Sequence, residues 1–222
     1  MTLTHFFSVK KFVFLLTASG ILSFSASVYP QNTWEQTRKE SGVKVFERET
    51  DSRLNDLKTV FKLNSGVMPA ISFLLDEDAF KSMVSNIEEA RMIKKVSDTL
   101  RYYYLRVSVE NIINRDAVVK VLFQQDSRSG LVTCIMKLDN SIGYEMENQS
   151  IMPFTAHWYL RPTRWGKVNV KLIYKGQIDE YNELVYNMVE EIMKSQLFKV
   201  SKRMKSKVSS NKYKHTQINI FH

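Results

Sequence analysis

Near its C-terminus the chain carries a long amphipathic helix pattern, and this segment constrains the fold most. Asp179 is placed to accept hydrogen bonds from the first free backbone amides, and Glu190 and Lys194 stand one turn apart, where opposite charges pair. From Tyr181 the apolar residues recur at helical spacing, at Leu184, Val185, Met188, Val189, Ile192, Met193, Leu197, Val200 and Met204. Because strand patterns precede it, this helix indicates a curved sheet closed over an apolar interior.

Most of the preceding chain has strand patterns. Residues 168–174 alternate apolar side chains with Asn169 and Lys171, which is typical of a half-buried strand. Two short helices are predicted, at 34–40, where Gly42 ends the helix, and at 69–75, where Pro69 suits a first turn. The predicted strands are 43–49, 57–63, 90–96, 100–109, 117–124, 131–138, 151–161 and 168–174.

Short, turn-rich connections join most of these strands, as at Asp126 to Gly130 and Pro162 to Gly166. Consecutive strands with short loops favour an antiparallel meander. We therefore predict an α+β fold: a curved antiparallel sheet of about seven to eight strands wrapped around the long C-terminal helix, with short helices after the second strand. The expected domain spans 28–205, is monomeric, and is followed by a basic, disordered tail at 206–222.

The N-terminus resembles an export signal. Lys10 and Lys11 precede the apolar run 12–24, and small residues follow at 25–27. This pattern is typical of a cleaved secretory peptide covering 1–27, and the run is shorter than the roughly 20 apolar residues of a membrane span. We expect an exported protein, in the periplasm or outside the cell; a leader retained as an anchor is the alternative.

The net charge of +9 comes from the two ends of the chain. The leader holds two lysines, and 199–214 holds seven basic residues without an acid. Removing these nine from the 32 basic residues leaves 23, against 23 acidic residues. A neutral body gives nucleic-acid binding no electrostatic basis, so we expect no nucleic-acid partner.

The basic segment at the end of the long helix has two interpretations. Cations there complement the negative end of the helix dipole. They also suit peripheral contact with an anionic membrane, where each contributes about 1 kcal/mol. The residues predicted to make this contact are Lys199, Lys202, Arg203, Lys205 and Lys207.

Several segments, in order, resemble the START-type lipid-transfer domains of the helix-grip superfamily, in particular exported bacterial members. The resemblance covers 34 to about 204 and rests on Trp34, 42–49, 74–76, 89–98, Asn114-Arg-Asp116 and His157 to Pro162. It implies a helix-grip fold and binding of a lipid or other hydrophobic molecule in an internal cavity.

The chain departs from that family near the implied cavity mouth. Glu110 to Ile113 replaces a Pro-Trp-Pro turn, and Gly176 to Glu180 replaces a Gly-Gly and Ile-Pro entry into the last helix. Met83 stands where a tryptophan is expected, and Val121 where sterol-carrying members place a buried arginine. The resemblance therefore implies the fold and leaves the ligand open.

We expect the cavity lining to come from inward strand positions and from one face of the long helix, because methionine and small aliphatic side chains leave adaptable apolar space. A completely filled core is the alternative. For the three adjacent tyrosines we expect Tyr103 to point inward and Tyr102 and Tyr104 to face water. The predicted lining residues are Tyr103, Leu105, Val107, Val119, Val121, Phe123, Trp158, Val185, Met188 and Ile192.

Catalytic and metal-binding patterns are weak. His157 alternates with inward Trp158 and is expected on the surface, and Arg115 with Asp116 is expected to pair or anchor a strand end. The single cysteine, Cys134, is expected in the core. We therefore predict a non-enzymatic lipid-binding domain without metal or cofactor. An envelope interaction scaffold with a filled core is the main alternative, and a small-molecule cyclase or hydratase is a further one.

Overall fold

The structure, a computed structural model, describes residues 33–52, 54–84, 86–109, 113–177, 183–215 and 220–221. The predicted leader at 1–27 and the predicted helix cap at Asp179 lie outside the described residues. Within that part of the chain, no helix is both long and apolar enough to cross a bilayer.

A nine-stranded sheet with antiparallel neighbours organises the described residues, in the order β1-β2-β3-β9-β8-β7-β6-β5-β4. The strands β1 to β3 follow the chain order, and the strands from β9 to β4 follow it in reverse. The pairing of β9 with β3 joins these two runs, and β1 and β4 are the edges. The strands are β1 Glu35–Glu40, β2 Val43–Arg48, β3 Asp56–Leu63, β4 Ile87–Lys95, β5 Leu100–Val109, β6 Ile113–Gln125, β7 Val132–Leu138, β8 Phe154–Pro162 and β9 Val168–Gly176.

The strand β1 is additional to the eight predicted strands. It lies where the sequence predicts a helix, at 34–40, so that prediction is wrong. Ser41 and Gly42 both adopt positive φ, 52° and 72°, and form a two-residue turn. Turns of this kind match the twist of a hairpin and direct the preceding segment back along β2. Lys39 pairs with Lys44 in the resulting ladder, and strand pairing overrides the local helical pattern.

Four α-helices and one short 3-10 helix, Asn140–Ile142, are present in the described part of the chain. The α-helices are α1 Val67–Leu75, α2 Glu77–Met83, α3 Glu183–Lys207 and α4 Asn211–Lys214. Pro69 lies in the first turn of α1 as predicted, and the Asp76 side chain caps α2 by accepting from the backbone N–H of Asp78 at 3.0 Å. The prediction of short helices after the second predicted strand, 57–63, and of one long C-terminal helix is confirmed.

The core lies between one face of the sheet, α1, α2 and the C-terminal half of α3. Alternation sets this up: Val168, Val170 and Leu172 of β9 are buried, whereas Asn169 and Lys171 between them are exposed. Side chains of successive strand residues point to opposite faces, so each strand contributes every second residue to the core. This face is called the inner face below, and the opposite one the outer face.

The segment after α3 packs against the domain, so the prediction of a disordered tail at 206–222 is wrong for the described residues of that segment. Val208, Tyr213 and Ile220 are buried. The Tyr213 hydroxyl donates to Asp76 Oδ2 at 2.5 Å, and its ring packs edge-on against Phe73. Residues 208–215 therefore pack against α1 and the start of α2, because they carry apolar side chains that the core accepts.

Candidate ligand-binding interior

The predicted strand residues of the lining lie together on the inner face. Tyr103 pairs with Val119 across β5 and β6, Phe123 with Cys134 across β6 and β7, and Cys134 with Trp158 across β7 and β8. Paired residues point to the same side of a sheet, so the register itself gathers these side chains. Of the predicted strand positions, Tyr103, Leu105, Val119, Val121, Phe123 and Trp158 are buried, and Val107 is half-buried.

The helix contributes differently from the prediction. Met188 is 58% exposed and Ile192 is 44% exposed, so neither is enclosed beneath α3. The side chain of Val185 lies outside the described residues. Met193 and Leu197 pack against the core instead, and Val200 and Met204 continue that stripe. The apolar pattern of α3 is wider than one stripe, so the sequence does not select the face that packs.

Tyr103 points inward, as predicted, and its hydroxyl lies inside the domain. The hydroxyl donates to the carbonyl oxygen of Leu75 at 2.9 Å, and the ring packs against Phe80 with 5.0 Å between centroids. Burial raises the pKa of Tyr103, and nearby Arg101 partly opposes that rise. The hydroxyl therefore stays neutral and ties β5 to the end of α1.

Tyr102 and Tyr104 are buried, so the prediction that they face water is wrong. For Tyr104 the reason is the segment after β7, which returns over the outer face. Tyr144 of that segment packs 5.4 Å from the Tyr104 ring. Burial and a hydrogen bond to Asp116 raise the pKa of Tyr104 to about 12.

Asp116 holds the returning segment against the sheet. Its carboxylate is fully buried and accepts from the Tyr104 hydroxyl at 2.9 Å, from the backbone N–H of Asn148 at 2.9 Å and from Asn148 Nδ2 at 3.1 Å. Burial acts to raise the pKa of Asp116, but these hydrogen bonds keep it below its ordinary value. Arg115 donates to the side chain of Gln149. The sequence predicts that Arg115 and Asp116 pair or anchor a strand end, whereas they lie within β6, and each instead binds a residue of the returning segment.

Arg101 is an inner-face residue that the sequence reasoning missed. It pairs with Val121 across β5 and β6, and Val121 is fully buried. The Arg101 Nε atom is buried and has no hydrogen-bond partner among the described residues. Alternation from Tyr103 places residue 101 on the same face, and this signal in the sequence was sufficient to find it.

Lys194 attaches the first half of α3 to β2. Its ammonium group lies 2.5 Å from Glu47, 2.8 Å from Glu190 and 3.2 Å from Glu191. Burial acts to lower the pKa of Lys194, but the hydrogen bonds that it donates to these carboxylates raise it. The predicted pairing of Glu190 with Lys194 is confirmed, although the pair is half-buried against the sheet and not on a wet face.

The second half of α3 is held by packing and by hydrogen bonds. Ser201 shares a buried hydrogen bond of 2.7 Å with Thr59 of β3. Arg203 donates to the carbonyl oxygen of Met83 at 3.0 Å, and Lys205 donates to that of Ser41 at 2.7 Å. Lys202 lies 3.8 Å from Glu40. Of the five cations predicted to contact a membrane, three therefore have partners within the domain, and Lys199 and Lys207 are exposed.

Other chemically active side chains lie apart from one another. Cys134 is fully buried, and burial raises the pKa of its thiol well above the ordinary value. His157 is on the outer face, where it stacks on Tyr159 at 6.2 Å, as the surface prediction requires. Burial and the nearby Lys175 lower the pKa of His157. Among the described residues, no group of three or more His, Cys, Asp or Glu side chains is arranged to hold a metal ion.

Comparisons with solved structures match this arrangement closely. The crystal structure of the STAR-related lipid transfer protein from Xanthomonas axonopodis superposes with a TM-score of 0.71, covering 80% of this chain and 99% of that one at 19% identity. The chain has the START-domain fold. Human STARD10 superposes with a TM-score of 0.66 at 16% identity, covering 81% of this chain and 74% of that one. Human StAR-related lipid transfer protein 5 gives 0.65 at 14% identity, with 79% and 86% covered.

No family model matches the sequence, and no curated protein matches it. The likeness at these identities establishes the START fold and confirms the helix-grip architecture predicted from the sequence. In this fold β1 to β9 form the grip, and α3 is the helix that the sheet surrounds.

Proposed function

We propose that this protein is an exported, non-enzymatic, monomeric domain that binds a lipid or another hydrophobic molecule between the inner face and α3. The observation that carries the proposal is the START fold combined with a difference in burial between the two halves of α3. The second half of α3 is packed into the core, whereas Met188 and Ile192 in the first half are largely exposed. An apolar ligand entering beside the first half of α3 gains contacts that these side chains lack.

The inner face suits an apolar ligand. Ala117, Val119 and Val121 follow one another on it, and their side chains are short. Larger side chains surround this row: Phe123 follows it on β6, Tyr103 of β5 stands beside Val119, and Met136 of β7 stands beside Val121. Small side-chain shifts around these short residues cost less free energy than displacing a closely packed aromatic ring. We therefore place the apolar part of the ligand against this row.

Arg101 supports a ligand with a polar or anionic end. Its Nε atom is buried without a hydrogen-bond partner among the described residues, and an unpaired buried donor is unfavourable. A carboxylate, phosphate or carbonyl oxygen at this position satisfies it. We therefore expect an amphipathic ligand, with its apolar part on the β6 row and its polar end toward Arg101.

Release requires the first half of α3 to move, and the Lys194 ion pairs set the cost of that movement. The basic residues Lys199, Lys202, Arg203, Lys205 and Lys207 favour an encounter with an anionic membrane. Neutralising the exposed pair Lys199 and Lys207 should weaken binding to anionic vesicles in a salt-sensitive way. Unchanged binding would argue against this part.

Native mass spectrometry of protein purified from its own host tests the proposal. We expect a co-purifying apolar mass that organic extraction removes. Val121→Trp fills the row and should abolish that mass, whereas Leu122→Trp, on the outer face of the same strand, should retain it. Protein that is repeatedly empty and takes up nothing from lipid extracts would overturn the proposal.

A scaffold with a filled core is the second candidate, and the near-complete burial of the inner-face residues favours it. The same two variants separate the candidates. In a filled core Val121→Trp overpacks the interior and lowers the free energy of unfolding by about 1–3 kcal/mol. In a carrier the indole occupies ligand space, and the unliganded protein keeps its stability.

A further inference from the structure

Three lysines surround one depression on the outer face. Lys39 and Lys44 stand directly opposite each other on β1 and β2, and Lys62 of β3 is diagonal to Lys44. Like charges directly opposite in a sheet are unfavourable. Among the described residues, none of the three has an ion-pair partner. The depression has a volume of about 260 Å³ and is lined by Lys39, Gly42, Lys44, Val60, Phe61, Lys62 and Asn169.

Further cations border this depression. The Lys205 ammonium group reaches the β1–β2 turn and donates to Ser41 beside Gly42. Arg161 of β8 pairs with Asn169, which lines the depression. Positive charge therefore continues from the end of α3, across the turn, to β8.

The rest of this part of the outer face is also cationic. Lys58 and Arg48 both lie over the Trp34 ring, 4.2 Å and 4.6 Å from its centroid, so two cations are close together here. Burial, together with Lys171 and Arg48, lowers the pKa of Lys58. The outward acid of β3, Asp56, is occupied by Arg48 at 2.5 Å and Lys175 at 3.2 Å. The surface is therefore left with an excess of positive charge that an external anion can neutralise.

Trp165 stands at the same end of the sheet. It is 84% exposed in the turn between β8 and β9, with Arg164 and Lys167 beside it in sequence. Val168, which follows this turn, pairs with Leu63 at the end of β3, and Lys62 is the preceding residue. Indole rings favour the boundary between lipid headgroups and water, and exposure to this extent is costly for so large an apolar ring.

We propose that this end of the sheet docks on an anionic phospholipid bilayer, with a lipid phosphate in the depression formed by Lys39, Lys44 and Lys62 and with Trp165 in the headgroup layer. A bilayer supplies both contacts at once. Duplex DNA supplies the phosphates and no apolar layer for the indole, so a bilayer fits the two observations better. Lys205 borders this surface, whereas the exposed α3 cations Lys199 and Lys207 do not line the depression, and the inference does not depend on the identity of any ligand held inside.

Vesicle flotation with the full chain tests the proposal. Vesicles of phosphatidylglycerol and phosphatidylcholine are compared with vesicles of phosphatidylcholine alone. The triple variant Lys39→Gln, Lys44→Gln, Lys62→Gln should lower partitioning onto the anionic vesicles about 100-fold, since each cation contributes roughly 1 kcal/mol at such a surface. The matched triple variant Lys81→Gln, Lys94→Gln, Lys137→Gln, at exposed lysines outside both cationic surfaces, should change it less than about threefold.

A second measurement places the indole. Lipids brominated near the headgroup should quench the tryptophan fluorescence of the wild type, and Trp165→Phe should remove most of that quenching while Trp34 and Trp158 remain. Thermal unfolding of every variant serves as the folding control. The proposal would be overturned if the two triple variants lost vesicle binding equally, or if the Lys39, Lys44 and Lys62 variant lost duplex DNA binding as strongly as vesicle binding. It would also be overturned if millimolar inorganic phosphate alone displaced the protein from the vesicles, or if the quenching survived Trp165→Phe.

Discussion

The two halves of α3 are held to the same sheet by different forces. In the second half Leu197, Val200 and Met204 are buried in the core. In the first half Met188 and Ile192 are exposed, and Lys194 ties the helix to Glu47 of β2. One continuous helix therefore has an end fixed by hydrophobic packing and an end fixed mainly by partly solvated charges.

This difference indicates where the domain can open. Burial of apolar area is the larger stabilising contribution, whereas ion pairs that remain partly exposed contribute little. Local opening draws on the parts of a structure with the fewest buried apolar contacts. We expect the first half of α3 to separate from the sheet while the second half stays in place.

The largest expected effect is on the packed half. Met204→Ala removes a fully buried side chain, so the free energy of unfolding should fall by about 2–5 kcal/mol. Met188→Ala, the matched change in the other half, should alter it by less than about 0.5 kcal/mol. Denaturant unfolding measures both. Similar losses from the two variants would remove the distinction between the halves.

The buried hydroxyl pair tests the same half. Thr59→Ala should cost about 1–3 kcal/mol of unfolding free energy, because it leaves the Ser201 hydroxyl buried without a partner. The double variant Thr59→Val, Ser201→Ala removes both polar groups and should recover most of that loss. A double variant less stable than either single variant would show that the pair itself is strongly stabilising.

The ion-paired half should respond locally. Lys194→Gln should lower the free energy of opening for 183–192 by about 1 kcal/mol, which is roughly fivefold faster amide hydrogen exchange. Exchange in 197–207 should stay unchanged. Glu191→Gln serves as the control, because Glu191 is the most exposed of the three carboxylates. Faster exchange along the whole helix would mean that α3 opens as one unit.

The smallest effect concerns pH and the segment packed after α3. Burial acts to raise the pKa of Asp76, but Lys212, Tyr213 and the N–H of Asp78 keep it below its ordinary 3.8. Stability from this carboxylate is therefore present above about pH 3.8 and is lost as the pH falls through the lowered value. Hydrogen exchange of α4 should accelerate across that range. Asp76→Asn should remove this acid step, and an unchanged step would assign it to another group.

Much of the architecture was predictable because its signals are local. The alternation in β9 and the turn residues on either side of it define that strand without knowledge of any neighbour. The strands of the candidate interior were predictable for the same reason, since once Tyr103 is inward, Leu105 and Arg101 follow.

The errors arose where contacts distant in sequence decide the outcome. The sequence around Tyr104 contains no pattern that predicts the return of residues 139–153 across it. This segment brings Tyr144 against the Tyr104 ring and Asn148 against Asp116. The strand β1 depends on pairing with β2 more than on its own pattern. The packed face of α3 depends on how the sheet curves around it.

By itself the sequence determined the order of the strands from β2 to β9, the long C-terminal helix and which side of each of these strands is apolar, since these follow from periodicity and turn chemistry within short segments. The tertiary structure alone decided which half of α3 is packed, where Asp116 finds its partners, and that lysines from three strands meet around one depression. Those outcomes depend on register and on sheet curvature, which bring together residues that are not neighbours in the chain. Asp116 and Asn148 are 32 positions apart, and Thr59 and Ser201 are 142 positions apart.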